Sequence, residues 1–146
     1  MKKYNNILVA VDGSDEGKRA FQKASELAAM HDAELIIAHV VDSRTFATIE
    51  QYDRMIVSQA EKYGDELLNG YKEEAQYKGV TAVKTVLEFG SPRVVIPKTL
   101  ALRFEADLIV SGATGLNAVE RLLIGSVSEA ITRTAPCDVL IVRNEK

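Results

Sequence analysis

Three glycines and a serine at defined spacing, Gly112, Gly115, Gly125 and Ser126, form the pattern in this chain that best suits binding chemistry. The first two glycines follow residues 108–110, an apolar run that predicts a buried strand. Glycine lets backbone N–H groups approach a ligand that any Cβ would exclude. A serine at a helix start lies beside the positive end of the helix dipole. Strand, glycine loop and helix start together predict an anion site, with phosphate as the expected ligand.

The same glycines could instead form ordinary turns, so other phosphate loops were sought along the chain. The segment VDGSDEG after the first apolar run lacks the pattern G-x-G-x-x-G, and Asp15 and Glu16 would repel a pyrophosphate there. No glycine precedes a Lys-Ser or Lys-Thr pair at the spacing of a Walker A loop. A phosphate site is therefore expected only after the fourth predicted strand.

Asp12, which ends the first apolar run, is the second candidate for ligand binding. Its carboxylate could accept hydrogen bonds from a ribose hydroxyl or an adenine amine, or hold a metal. The alternative is a local Asx turn with Gly13 and Ser14. His39, inside the second apolar run, is interpreted as a core residue with a satisfied hydrogen bond, and Cys137 as a packing residue. No catalytic constellation emerges, so the residues favour binding over catalysis.

The scaffold that must position these residues alternates strands with helices. Solid apolar runs predict strands covered on both faces, whereas the alternating pattern of residues 81–89 predicts an edge strand. Pro97 is expected to kink its helix. The predicted strands are residues 7–11, 34–41, 81–89, 108–110 and 138–143, and the predicted helices begin near residues 15, 52, 91 and 126. This order predicts a five-stranded parallel sheet with helices on both faces, with ligands at the carboxyl ends of the strands.

Composition limits the class of protein. The chain has 146 residues, 47% hydrophobic and 27% charged, which predicts one globular domain spanning residues 1–146. A net charge of −3 gives no basic surface for DNA or RNA. A single cysteine excludes an internal disulfide, and no apolar run reaches the length of a membrane span or a signal peptide. We therefore expect a cytoplasmic protein that binds neither nucleic acid nor a membrane.

Taken together, these motifs resemble those of the universal stress protein (UspA-like) family, and specifically its ATP-binding branch. The family motif G-x2-G-x9-G followed by Ser or Thr is met by Gly112, Gly115, Gly125 and Ser126. The segments ILVAVDGSD, HVVD and CDVLIVR are similar to the family's first, second and fifth strands, so the resemblance covers essentially the whole chain. Many relatives have a proline where this chain has Asp138, which affects the entry to the fifth strand.

The resemblance implies a Rossmann-like three-layer α/β sandwich with strand order 3-2-1-4-5. It also implies a homodimer formed by antiparallel pairing of the fifth strands, which here comprise Val139, Leu140, Ile141, Val142 and Arg143. The residues carried over to the nucleotide site fall into an adenosine group and a ribose-phosphate group. They are Ala10, Val11, Asp12 and Val40 for adenosine, and Gly112, Ala113, Gly115, Gly125, Ser126, Val127 and Ser128 for ribose and phosphates.

The implied function is that of an ATP-binding, nucleotide-dependent regulator in a stress response, with Mg²⁺ accompanying the phosphates. A weak ATPase, an autophosphorylating protein, or a sensor of AMP or a cyclic dinucleotide remain alternatives. Hydrolysis is expected to be slow, since no base or arginine finger is evident near the loop. A response-regulator receiver would need a phospho-acceptor aspartate ending the third strand, where Glu88, Phe89 and Gly90 stand. The H-x-G-H motif of small nucleotidyl transferases is absent.

Overall fold

The computed structural model describes residues 4–43, 54–114 and 124–143. Strands and helices alternate along these residues in the expected order. The strands are β1 (Asn6–Ala10), β2 (Glu34–Asp42), β3 (Ala82–Gly90), β4 (Leu108–Gly112) and β5 (Asp138–Val142). The helices are α1 (Asp15–His31), α2 (Arg54–Tyr77), α3 (Pro92–Val94), α4 (Ala101–Arg103) and α5 (Ser126–Thr134), with a π-helical segment (Val95–Leu100) joining α3 to α4.

The five strands form one parallel sheet in the order β3-β2-β1-β4-β5. This arrangement confirms the predicted Rossmann-like α/β fold and its strand order. From β1 the chain crosses to β2 and then β3 on one side, and it returns to β4 and β5 on the other. The strand order therefore reverses between β1 and β4, and a crevice at their carboxyl ends is the usual ligand site of such sheets.

Two apolar layers cover the two faces of the sheet. Successive strand residues point to opposite faces, so Ile7 and Val9 contribute to one layer while Leu8 contributes to the other. The first layer includes Phe21 of α1 and Leu68 of α2. The second layer includes Leu100 of the π-helical segment, Ala101 of α4 and Ile131 of α5. The central strands are covered on both sides, which accounts for their solid apolar runs.

Local signals explain where the helices on the first face begin and end. Ser14 caps α1, because its Oγ accepts a hydrogen bond from the Gly17 backbone N–H at 3.0 Å. Gly79 follows the end of α2 with a φ of +98°, and the Val80 N–H returns to the Ala75 carbonyl at 3.1 Å. The start of α1 agrees with the position predicted from the sequence.

Pro97 disturbs its helix as expected, and the disturbance takes the form of a π-helical turn. The chain passes from α3 through the π-helical segment into α4 without a break. A wider π turn accommodates a residue that lacks a backbone N–H and crowds the preceding turn. The helix begins where it was predicted, near residue 91, with Ser91 at the N-cap position, although the Ser91 side chain makes no capping hydrogen bond.

The periphery of the sheet matches its sequence pattern. β3 lies at one edge and has a largely exposed or half-buried surface, as its alternating hydrophobicity predicted. β5 lies at the opposite edge, where it pairs only with β4 among the described strands. None of the helices in the described part of the chain combines the length and apolarity needed to cross a bilayer.

Candidate functional site

The carboxyl ends of β1, β2 and β4 bring together three of the predicted site segments. Val9 of β1 pairs with Val110 of β4, and Ala10 pairs with Ala38 of β2. Residues that follow these pairs extend beyond the ladder at the same edge of the sheet. Val40 lies two residues past Ala38 and remains within β2. The β1 ladder ends at Ala10, one residue earlier than predicted.

The end of β4 and the start of α5 are bonded directly to each other. The Gly125 backbone N–H donates to the Ala113 carbonyl at 2.7 Å. The Ser128 hydroxyl lies 2.7 Å from the Gly112 carbonyl and 3.0 Å from the Ala113 carbonyl, and the side chain is buried. This hydroxyl therefore fixes α5 against β4, which leaves the exposed Ser126 as the serine side chain available to a ligand.

The first turn of α5 presents backbone donors that are capped by no side chain in the part of the chain that the structure describes. Its N-cap residue is Gly125, which has no side chain, and the first helical bond joins the Glu129 N–H to the Gly125 carbonyl at 2.9 Å. The N–H groups of Ser126, Val127 and Ser128 precede that bond in the helix. Such N–H groups lack intrahelical acceptors and carry the positive end of the helix dipole.

The first turn of α1 differs from that of α5 in both respects. Its N-cap Ser14 accepts a hydrogen bond from the Gly17 N–H, and the turn carries Asp15 and Glu16. One backbone N–H of this turn is thus satisfied within the protein, and the remaining N–H groups belong to a turn that carries two carboxyl groups. Of these two helix starts, α5 is the one suited to a phosphate.

Gly112 is required by packing as well as by any ligand. An added Cβ would lie 2.9 Å from the Glu16 carbonyl oxygen and 3.0 Å from the Glu16 Cβ. The first turn of α1 therefore rests directly on the backbone of β4. This contact brings the end of β4 close to the β1–α1 turn, which contains Asp12.

Asp12 forms the Asx turn considered from the sequence. Its Oδ1 accepts hydrogen bonds from the Ser14 backbone N–H at 3.0 Å and from the Ser14 hydroxyl. Both bonds use the same carboxylate oxygen, so Oδ2 is not engaged in this turn. Asp12 is half-buried at the carboxyl end of β1. The turn and a ligand contact through the second oxygen are therefore compatible.

The two halves of the predicted pocket share one face of the sheet. Ala10, Val40 and Val127 all pack against the apolar layer beneath α5 and the π-helical segment. Each is only partly buried, as expected for side chains at the rim of that layer. Ala10 and Val40 of the adenosine group thus lie on the same side of the carboxyl edge as Val127 of the phosphate group, whereas the Val11 side chain packs in the layer on the opposite face.

The opposite face carries a polar cluster that sequence reasoning did not assign to the site. His39 is buried there, and its Nδ1 lies 2.8 Å from the Val11 carbonyl oxygen. Tyr63 of α2 meets the imidazole edge to face, with ring centroids 6.1 Å apart. Burial raises the pKa of Tyr71, and the nearby Glu74 and Asp12 carboxyl groups raise it further. A glycine is unusual inside a helix, so Gly64 is the feature of the sequence that indicates this close packing.

The structure describes every predicted site residue except one. Gly115, the second glycine of the motif, lies outside the described residues. The others are gathered at the carboxyl edge of the sheet and on the first turn of α5. No cluster of three or more His, Cys, Asp or Glu side chains suited to a metal occurs among residues 4–43, 54–114 and 124–143.

Comparison with protein-family models identifies one family whose model matches most of this chain. The model described as the universal stress protein family matches residues 3–143. The chain belongs to the universal stress protein family. The resemblance found in its motifs is thus confirmed at the level of the family.

Individual universal stress proteins show the same relationship. A Staphylococcus aureus (strain USA300) protein that carries this family name is 55% identical over 143 residues, covering 98% of this chain and 86% of the relative. UspA from Lactobacillus plantarum is 29% identical, with a TM-score of 0.81 over 97% of this chain and 99% of that structure. A universal stress protein solved in complex with cAMP is 29% identical, with a TM-score of 0.72 over 97% and 98%.

Proposed function

We propose that this universal stress protein binds ATP at the carboxyl edge of its sheet and acts as a nucleotide-dependent regulator in a stress response. The observation that carries the proposal is the uncapped first turn of α5 beside the end of β4. Its N–H groups and the exposed Ser126 hydroxyl form a phosphate site at the point where the strand order reverses. Gly115 is assigned to the same site by its place in the motif.

The adenosine part is proposed to lie between the ends of β1 and β2. Ala10 and Val40 offer partly buried apolar surface there, while Asp12 offers a carboxylate oxygen for a ribose hydroxyl. The related universal stress protein in complex with cAMP supports an adenine nucleotide as the ligand class. We assign the backbone of Val40 to a hydrogen bond with adenine, and we place Val11 among the residues that approach the adenosine.

Magnesium is proposed to enter with the nucleotide rather than to occupy a site of its own. Mg²⁺ keeps several waters and is commonly held by one or two carboxylates together with substrate phosphates. The described residues contain no larger cluster of metal-ligating side chains, and Asp12 is the carboxylate at the carboxyl end of β1. When bound, the ion would offset the charge of the phosphates.

Calorimetric titration with Mg-ATP tests the proposal on the intact chain and on the variant Ser126→Asp. An aspartate in the first turn of α5 interacts favourably with the helix dipole, so we expect stability to rise by about 0.3–1 kcal/mol. The same carboxylate would repel the phosphates, and we expect ATP affinity to fall by about tenfold or more. Thermal denaturation of both proteins separates the two effects.

Gln22→Glu supplies the matched control, because Gln22 is exposed in the middle of α1 and the variant adds the same charge elsewhere. We expect this control to bind ATP as the unmodified chain does. Absence of ATP binding by the unmodified chain would refute the proposed function. Binding that is equally strong in Ser126→Asp would instead refute the placement of the phosphates at α5.

A sensor of another adenine nucleotide is the second candidate function, favoured by the cAMP complex of the related protein. Competition of ATP, AMP and cAMP for the same site distinguishes the candidates. If the uncapped α5 turn selects for the phosphate chain, ATP should bind more tightly than AMP. Tighter binding of cAMP would favour the second candidate.

We further propose that the protein is a cytoplasmic homodimer in which β5 of one protomer pairs with β5 of its partner. An edge strand presents unpaired main-chain groups, and pairing with a second copy satisfies them. β5 lies at the edge of the sheet, and its side chains are mostly half-buried within a single protomer.

A further inference from the structure

Both backbone polar groups of Val11, the residue just past the end of β1, form hydrogen bonds with β2. Its N–H donates to the Ala38 carbonyl at 2.8 Å. Its carbonyl oxygen lies 2.8 Å from Nδ1 of the buried His39. The imidazole therefore supplies the donor that a regular strand would otherwise provide, at the point where β1 leaves the sheet.

The geometry determines which nitrogen of His39 carries the hydrogen. A carbonyl oxygen accepts but cannot donate, so the contact with Val11 requires a hydrogen on Nδ1. In the neutral ring, Nε2 then carries the lone pair. The contact spans 28 residues in sequence, so it cannot be a local turn interaction.

Helix α2 holds the imidazole from the other side. A Cβ on Gly64 would lie 2.9 Å from the His39 Cδ2 atom and 2.7 Å from a methyl group of Leu87. Only glycine allows the helix backbone to approach the ring this closely. The glycine that weakens α2 by its helix propensity thus permits the packing that orients His39.

Tyr63, the residue before Gly64, extends the same contact to the turn after β1. Its ring meets His39 edge to face, and its hydroxyl oxygen lies 2.3 Å from the position of a Cβ built on Gly13. Tyr63 is about half exposed, so its ring covers the turn from the solvent side. His39 and Tyr63 thus restrain both Val11 and Gly13, the two neighbours of Asp12.

From these contacts we infer that His39, supported by Tyr63, is a positioning residue for the nucleotide site. It touches no proposed ligand atom, and it acts by holding the segment from Val11 to Gly13 in place. The inference rests on the proposed function, which assigns Val11 and Asp12 to adenosine. A restrained turn binds more tightly because less ordering is required on binding.

The test compares His39→Leu with His39→Asn by calorimetric titration with Mg-ATP. Leucine fills space but has no donor, so the Val11 carbonyl loses its partner and affinity should fall about tenfold. An asparagine amide can place a donor near the position of Nδ1, so affinity should return to within about threefold of the unmodified chain. Equal affinities in the two variants would overturn the inference.

A second pair of variants does not depend on the folding of a core substitution. Tyr63 and Tyr77 are exposed tyrosines of the same helix, and Tyr77 lies at its far end. We expect Tyr63→Ala to weaken ATP binding about threefold, and Tyr77→Ala to leave it unchanged. Equal effects of the two substitutions would contradict a positioning role for Tyr63.

Amide hydrogen exchange without nucleotide separates this inference from the proposed function. In His39→Leu, we expect faster exchange at Val11 and Ser14, whereas His39→Asn should protect both amides. Val80→Ala, a buried substitution beyond the end of α2, serves as the control for general loss of stability. If the unmodified chain binds no ATP, the proposed function fails. Unchanged exchange in His39→Leu would refute the restraint itself.

Discussion

At the scale of single residues, Gly13 illustrates two separate reasons for a glycine. Its φ of +86° lies in a region that disfavours residues with a Cβ. A Cβ at this position would also lie 2.3 Å from the Tyr63 hydroxyl oxygen, although 3.6 Å from the adjacent Cζ atom. The positive φ and the closeness of Tyr63 are therefore two separate reasons for glycine at this position, and mutagenesis can distinguish them.

We predict that Gly13→Ala destabilises the protein by more than about 2 kcal/mol, the sum of backbone strain and the clash with Tyr63. Gly79→Ala is the matched control, because its φ is +98° and an added Cβ meets no atom within 4 Å. The free energy of unfolding of that variant should fall only by the cost of backbone strain, about 1–2 kcal/mol. Urea unfolding of each variant provides the free energies.

Adding Tyr63→Phe to Gly13→Ala should restore the additional stability that Gly13→Ala loses relative to Gly79→Ala. The phenylalanine removes only the oxygen that clashes with the new Cβ. A double variant as unstable as Gly13→Ala would show that the hydroxyl is not the source of the extra loss. The same result would weaken the inferred contact between Tyr63 and the β1–α1 turn.

At the scale of elements, β1 is restrained beyond its ladder at both ends. At its carboxyl end, His39 and Ala38 hold Val11. At its amino end, the Asp107 carboxylate accepts hydrogen bonds from the Asn5 N–H at 2.8 Å and the Asn6 N–H at 3.0 Å. The strand that leads to the proposed site is therefore fixed from both directions by neighbouring strands or the turns that precede them.

We predict that Asp107→Asn lowers the free energy of unfolding by about 1–3 kcal/mol. The amide would direct its NH₂ group towards one of two backbone N–H donors, so one hydrogen bond is lost and two donors oppose each other. Urea unfolding at neutral pH measures the change.

Glu73→Gln is the control for loss of one carboxylate, because Glu73 is exposed on α2. We expect this variant to remain within about 0.5 kcal/mol of the unmodified chain. Equal stability losses in the two variants would exclude the carboxylate clamp as the cause.

At the scale of the whole molecule, the proposed dimer depends on β5, which lies at one edge of the described sheet. The Val142 carbonyl accepts a hydrogen bond from the Ala113 N–H at 3.0 Å, so the main chain of Val142 faces inward. Successive residues of a strand direct these groups to opposite sides, so the N–H of Ile141 faces outward. In the proposed dimer, this N–H belongs to the pairing edge.

Ile141→Pro should convert the dimer to a monomer, because proline removes the outward N–H and leaves the ladder with β4 intact. Ile141→Ala, which keeps the N–H, should remain dimeric. Sedimentation equilibrium distinguishes the two states. Dissociation of both variants to the same extent would indicate that the side chain, and not antiparallel main-chain pairing, holds the copies together.

The sequence alone predicted the five strands, the helix positions and the family, because these depend on local hydrophobic period, caps and glycine spacing. Strand ends differed by one or two residues where pairing with a neighbour decides the boundary, as at Val11. The sequence also predicted a kink at Pro97; the structure shows a π-helical segment at this position, with the proline buried within it.

Tertiary structure alone decided which polar groups are available to a ligand. Ser126 and Ser128 were both predicted to bind phosphates, yet it is the buried Ser128 that donates to the end of β4, 16 residues earlier in the chain. His39 was interpreted correctly as a satisfied core histidine, but its partner Val11 lies 28 residues away. The hydrophobic period is set by residues that are close together in the sequence. Hydrogen-bond partners, in contrast, lie on distant segments that only the folded sheet brings together.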